Sequence, residues 1–356
     1  MSNPAVATAN GAPAAKPVEK TPSYAWSCLI VSLLAAVGIV FAWMWLPGIT
    51  FPVFKNWLAE NNAFFANPAN FGLLSNVMGL VPIGALIMAL PTTILVRKFG
   101  AKATTIIGVG CAVVGSAISA AFVGSNFYVF LAGRFILGLG LSTTVVSGPT
   151  CVSMWFPDAT RGRAMAIWSC WAPVGIFLSN FVNDGVYHLV GSNMANLQWV
   201  WVAVAAVFGI LFAVVFRDPR ENERSQVSPE RKPLKAVLKF FKSRQLWCLI
   251  IMFAIFNYMN YAFSQYLKTW LQTPEALGGF GWDATTAGLW GGLIVACGAL
   301  APLGGLILDK TPKSKKYLCV VVGILGLTIC SALAFHAEFF IPYVIFFCIG
   351  NMMLNA

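Results

Sequence analysis

Two groups of side chains in this chain have types and spacing suited to recognising a solute. The first is Arg134, a lone permanent cation in the otherwise uncharged run FLAGRFILGLGLSTTVVSGP. Its planar fork of donors matches a carboxylate or a similar oxyanion. The second is Asn257, Tyr261, Gln265 and Lys268, spaced i, i+4, i+8 and i+11, which puts all four on one face of a helix. A polar stripe of this kind is expected to line a cavity or another helix rather than lipid. Lys268 has a second reading, in which its ammonium snorkels to the membrane surface.

A charge at mid-bilayer costs at least ~2.5–3.5 kcal/mol on insertion scales, so Arg134 needs a partner or a wet cavity. The run that contains it begins near Phe127, which places Arg134 about 10 Å inside one edge. Of the twelve acidic residues, only Asp184 falls at a comparable depth. Two expectations stand side by side: a structural Arg134–Asp184 ion pair, or an Arg134 that faces the centre and binds an anionic substrate.

Catalytic chemistry is not expected. The chain has no HExxH, no GxSxG and no GxxxxGK[ST] loop. Its nine cysteines occur singly and its histidines number two, so neither a metal site, a disulfide nor a bound cofactor is inferred.

The elements that must position these residues follow from composition. Of 356 residues, 58% are hydrophobic and 10% charged, too little charge for a soluble surface of this size. Apolar runs of helical length predict an all-α integral membrane protein. The spans are expected at 24–47, 71–95, 103–123, 127–155, 163–188 and 197–216, then at 246–271, 285–308, 317–336 and 339–356. The organisation is a disordered tail over 1–23, a six-helix bundle over 24–216, a charged linker over 217–245, and about four further helices over 246–356.

Lysines and arginines sort to one side of these spans. They lie in the tail, in the turn at Arg97, Lys98 and Lys102, at Arg161 and Arg163, throughout the linker, and from Lys310 to Lys316. The opposite loops hold Lys55 and little else. The positive-inside rule then predicts a cytoplasmic N-terminus in a multi-pass cell-membrane protein. This asymmetry accounts for the net charge of +11 without nucleic acid as a partner. Gly133, Gly138 and Gly140 would let neighbouring helices approach closely, and Pro173 would bend the fifth span.

The second and eighth spans end in related basic turns, ILVRKFGAK and GGLILDKTPKSKK, about 210 residues apart. With the long central linker and the Arg134-x-x-x-Gly138-x-Gly140 run, these turns make the sequence similar to the major facilitator superfamily from residue 24 onward. Gly305, Asp309 and Lys310 fit that family's G-x-x-x-D-R/K turn. The first copy keeps Lys98 and Gly100 but has Thr93 and Arg97 where Gly and Asp are usual. The resemblance implies two helical bundles that alternate access to a central site, with the turn residues, Gly138, Gly140 and Pro173 serving gating and packing. The segment WFPDATRGRAMAIWSCWAPVG is similar to branches that carry organic or inorganic anions.

The resulting expectation is a monomeric secondary or facilitative transporter, a symporter or antiporter, in the lipid bilayer. Its solute would be a small anion bound by Arg134, Asn257, Tyr261, Gln265 and Lys268, together with a co-transported or exchanged ion. The chain is expected to stop after about ten of the family's usual twelve helices. The alternative is a non-transporting sensor, scaffold or truncated pseudo-transporter.

Overall fold

Prolines and one left-handed glycine set where the helices bend, and these bends create the polar features of the interior. The structure is a computed structural model that describes residues 21–220, 223, 242–300, 303, 307, 311–312, 315–333 and 336–354. The tail, most of the linker, and Gly305, Asp309 and Lys310 lie outside the described residues.

The chain is an all-α bundle. In order it forms α1 (Ser23–Ile49), α2 (Phe51–Asn61), α3 (Ser75–Phe122), α4 (Phe127–Trp155), α5 (Asp158–Ser169), α6 (Trp171–Leu189) and α7 (Met194–Val215). After the linker come α8 (Arg244–Gln272), α9 (Ala284–Ala296), α10 (Lys316–Leu333) and α11 (Phe340–Leu354). Five helical stretches among the described residues are long and apolar enough to cross a membrane, the longest being Pro68–Phe122.

Helix α3 holds two of the expected spans, joined at Gly100. That residue has φ +83° and ψ 169°, a conformation that L side chains rarely adopt, so glycine is required there for backbone reasons. The two limbs run in opposite directions along α4. On the first limb Val77 and Val81 meet Arg134 and Gly138, so that limb is parallel to α4. On the second limb Thr105 bonds Ser147 at 2.6 Å and Ser119 bonds the Phe130 carbonyl at 3.2 Å, an antiparallel register.

Gly138 and Gly140 are where these backbones touch. A Cβ on Gly140 would lie 2.4 Å from both the Ala112 nitrogen and the Gly108 carbonyl, and one on Gly138 would lie 2.2 Å from the Val81 carbonyl. Backbone cannot move aside as a flexible side chain can. Gly140→Ala is therefore expected to cost ~1–3 kcal/mol, the usual price of overpacking, and to lower the melting temperature of the purified protein.

Pro173 was expected to bend the fifth span in its middle. The break lies three residues earlier, at Cys170 (φ −71°, ψ −6°), and Pro173 sits in the first turn of α6. There its missing N–H costs nothing, while its ring disfavours a helical carbonyl at Ser169. The bend belongs to Pro173, displaced by one turn.

One end of the bundle, where α1 starts and α4 and α7 finish, is tied by Arg217. Its guanidinium lies 4.7 Å from the Tyr24 ring centre and 5.1 Å from that of Trp155, and it pairs with Glu223 at 2.6 Å. This is called the linker end below, and the opposite one the far end. The bonds from Arg217 hold the Glu223 carboxyl down at about 2, against an ordinary 4.5. A depressed carboxyl stabilises the folded state above the unfolded value, and that contribution disappears as pH falls from 4.5 toward 2. Glu223→Gln is expected to remove that acid dependence, as measured by melting across this pH window.

One cysteine expectation fails. Cys297, just after α9, is disulfide-bonded to Cys348 on α11, 51 residues away, with the two Cα atoms 5.3 Å apart. Single spacing in sequence hid a pair that only helix packing brings together.

Candidate functional site

Helix α1 breaks close to where Arg134 reaches it. Met44 is non-helical (φ −95°, ψ 16°), and Pro47 follows three residues on. A proline inside a helix donates no hydrogen bond to the carbonyl four residues back, here that of Trp43. Arg134 supplies the missing donors. Its Nη2 donates to the Trp43 carbonyl at 2.8 Å and its Nη1 to the Ala42 carbonyl at 3.1 Å. Its Nε donates to the Val77 carbonyl on α3 at 3.3 Å, and the Trp45 ring centre lies 5.9 Å away.

Arg134 is 1% exposed, so these carbonyl dipoles stand in for water. The expected Arg134–Asp184 ion pair is corrected: among the described residues Arg134 pairs with no carboxylate, and Asp184 lies half-buried near the end of α6. The physical reason is that the break in α1 offers acceptors at closer range than any acid.

The same logic places Tyr261. Pro82 frees the Met78 carbonyl on α3, and the Tyr261 hydroxyl donates to it at 2.9 Å. The Tyr261 ring also stacks on Trp43, with centroids 5.8 Å apart and planes 14° from parallel. One turn on, Gln265 Nε2 donates to Met44 Sδ at 3.0 Å. Lys268 Nζ then donates to the Gly48 carbonyl of α1 and, at 3.5 Å, to the Asn180 carbonyl of α6.

The polar stripe of α8 thus faces α1, α3 and α6 across the seam between the chain's two halves. The side chain of Asn257 lies outside the described residues. Lys268 does not snorkel; it is 2% exposed and points into the seam. Its match in register (Tyr261 with Trp43, Gln265 with Met44, Lys268 with Gly48) shows that α8 runs parallel to α1, so Lys268 lies toward the far end.

Sequence reasoning missed the α6 side of this seam. Ser179, Asn180 and Asn183 are all buried there. Ser179 Oγ donates to the Met44 carbonyl at 2.8 Å, and Asn183 Nδ2 donates to the Ser179 carbonyl at 2.7 Å. The available signal was the cluster Ser179-Asn180-x-x-Asn183-Asp184 in an apolar run. Three buried side-chain oxygens at this level have no hydrogen-bond partner: Asn180 Oδ1, Asn183 Oδ1 and Gln265 Oε1. Such atoms are expensive to leave unmet, and water or a ligand normally satisfies them.

Apolar packing completes the closure. Val40, Met44 and Ile176 from the first half share one buried cluster with Leu267, Trp270, Leu271, Ala287 and Ile294 from the second. Chemically, the seam offers carboxamide acceptors, an aromatic pair and one ammonium, while its guanidinium is already committed to backbone. Among the remaining turn residues, Lys98 is exposed, with its Nζ 5.2 Å from the Phe99 ring centre.

A model described as Major Facilitator Superfamily matches residues 30–355. Among curated proteins, the sugar transport protein MST7 of Oryza sativa is 27% identical over 37% of this chain and 25% of its own length. The matched stretches span well under two thirds of the curated relatives they match. Many solved structures share the fold, among them two that match across 94% of this chain. A bacterial homologue of the human lysosomal transporter Spinster, inward-facing and unoccupied, gives a TM-score of 0.65 at 14% identity over 74% of its chain. A D-xylose–proton symporter gives 0.64 at 16% identity over 80% of its chain.

Proposed function

The chain belongs to the Major Facilitator Superfamily, and from that membership we propose that it moves a small, uncharged, hydroxyl-rich solute across a membrane by alternating access. The observation that carries this reading is Arg134. Each of its three nitrogens donates to a main-chain carbonyl of α1 or α3, and the Lys268 ammonium is likewise bonded to the Gly48 and Asn180 carbonyls, so both cations of the seam that an anionic solute would need are engaged by backbone. The buried polar atoms of the seam without a hydrogen-bond partner are the acceptors Asn180 Oδ1, Asn183 Oδ1 and Gln265 Oε1 and the donor Trp43 Nε1, beside the stacked rings of Trp43 and Tyr261. Hydroxyl groups, which both donate and accept, and an apolar ring face are what such a set would complement, as in a sugar or a cyclic polyol. The sugar-transport names of a curated relative and of one structural neighbour point the same way.

The two halves meet at the far end through α1 and α6 on one side and α8 and α9 on the other. The exposed basic residues Lys98, Arg163 and Arg244 lie at the linker end, whereas Lys55 lies at the far end. The positive-inside rule then assigns the linker end to the cytoplasm, so this conformation is closed to the outside. Gln265, Asn180 and the ring face of Tyr261 are proposed to meet the solute as that seam opens and closes; Asn257 shares a face with Gln265 and Tyr261 in sequence.

A ligand panel tests the reading. Neutral pentoses, hexoses and inositols should raise the melting temperature of the detergent-purified protein in a saturable way, because a ligand that binds only the folded state stabilises it. Stabilisation by mono- and dicarboxylates or by inorganic anions, with none by the neutral solutes, would overturn it in favour of an anion carrier.

A further inference from the structure

Lys268 is a buried ammonium whose surroundings resemble a cation site more than an ordinary hydrogen-bond acceptor. Its first partner is the Gly48 carbonyl, near the C-terminal end of α1. That carbonyl is orphaned twice over. It belongs to the last turn of a helix, where four carbonyls lack donors, and the residue four positions on is Pro52, which has no N–H. The negative end of the helix dipole adds a field that favours positive charge there. The second partner is the Asn180 carbonyl at 3.5 Å, on a residue whose own Oδ1 has no hydrogen-bond partner.

The room for the ammonium is built in. Gly288 on α9 lies against it: a Cβ at that position would come within 2.7 Å of the Asn180 carbonyl and 3.4 Å of Lys268 Nζ. Among the described residues no carboxylate pairs with Lys268, and Asp184 sits one turn beyond Asn180 on α6. The acceptors in direct contact with the charge are neutral main-chain oxygens, and oxygen ligands are what hard cations take.

We propose that the ammonium of Lys268 is the tethered occupant of a monovalent-cation site formed at the seam around the Gly48 and Asn180 main-chain carbonyls, and that this site accepts a free small cation once the tether is removed. The side chain comes from the second half of the chain and the oxygens from the first, so occupancy of the site couples the two halves at the far end. The wild-type protein, carrying its own cation, needs none from solution there. This inference does not depend on which solute is carried.

The test compares wild type, Lys268→Ala and Lys268→Met in detergent, each melted in sodium, potassium, methylammonium and choline chloride at equal ionic strength. The wild type should melt at the same temperature in all four salts. Lys268→Ala should gain a saturable shift of about 2–4 °C in methylammonium or an alkali salt relative to choline, which is too large for the vacated slot. Lys268→Met, whose apolar chain fills the slot, should gain none. A Lys268→Ala protein that can be extracted only in methylammonium or an alkali salt also supports the proposal. Equal melting of Lys268→Ala in all four salts overturns it, as does an equal response from Lys268→Met. Loss of Lys268→Ala in every salt while Lys268→Met purifies normally overturns it too.

Discussion

Replacing Arg134 by alanine should lower the melting temperature of the purified protein by roughly 4 °C, and replacement by lysine should recover less than half of that loss. Three carbonyls lose a charged donor together: those of Ala42, Trp43 and Val77. Each hydrogen bond from a charged donor contributes about 1.5–3 kcal/mol, and the Trp43 carbonyl, with Pro47 four residues on, has no helical donor to fall back on. Removal of the buried cation relieves a desolvation penalty that offsets part of the sum. A net loss of about 3 kcal/mol remains, and at about 1.3 °C per kcal/mol, the value that about 2.1 cal/mol/K per residue implies for a chain of this size, it gives the shift above. Lysine fails because an ammonium is a compact point charge that cannot span three acceptors on two helices. A thermal-melting series on the three proteins checks this. If Arg134→Ala melted like wild type but lost solute binding, Arg134 would be a ligand for the solute and not a brace.

The second large effect concerns Gln265. Its amide nitrogen donates to Met44 Sδ, a weak acceptor, while Oε1 has no partner. Gln265→Leu keeps most of the side-chain volume and removes one weak bond, so stability should stay within about 1 kcal/mol of wild type. If Oε1 accepts a hydrogen bond from a solute hydroxyl, its loss removes about 1–2.5 kcal/mol of binding. The apparent dissociation constant for the neutral solute should therefore rise about 5- to 70-fold. Isothermal titration of the two proteins measures this directly. The opposite pattern, lost stability with unchanged affinity, would show that Gln265 serves packing alone. The contrast between Arg134 and Gln265 separates a structural role from a binding role within one seam.

The fold was legible because hydrophobic run lengths mark where helices lie. That signal survives at single-sequence level: the runs at 103–123 and 127–155 match the second limb of α3 and all of α4 within a few residues. The polar stripe of α8 was legible for the same reason, since a period of 3.6 residues fixes which side chains share a face. Partner choice was not. Asp184 looked like the natural counter-ion for Arg134 because carboxylates are visible as letters, whereas carbonyls freed by Pro47 are not. The proline itself was visible, and a proline in an apolar run three or four residues past a Trp or Met can be read as an announcement of free acceptors. The Cys297–Cys348 bond shows a similar gap, because its 51-residue separation carries no local signature. Asn180 was overlooked although it stands in a polar cluster at helical spacing, Ser179-Asn180-x-x-Asn183-Asp184, because the cluster does not say which helix it faces; that came only from Lys268 arriving from the other half.

The three proline-related sites share one device. Pro47, Pro82 and Pro52 each leave a carbonyl without its helical donor, and Arg134, Tyr261 and Lys268 respectively reach those carbonyls from neighbouring helices. Side chains that look like solute ligands in the sequence therefore spend their donors on bent backbone, and the uncharged polar groups left over define the chemistry open to a solute. This is the physical ground for a neutral, hydroxyl-bearing solute over an anion.

The most direct measurement of that claim is uptake of labelled solutes into proteoliposomes containing the purified chain. The account predicts saturable uptake of at least one neutral sugar or cyclic polyol, not competed by excess carboxylate or inorganic anion. Saturable uptake of an anion, with neutral sugars and polyols neither carried nor competing, would contradict it.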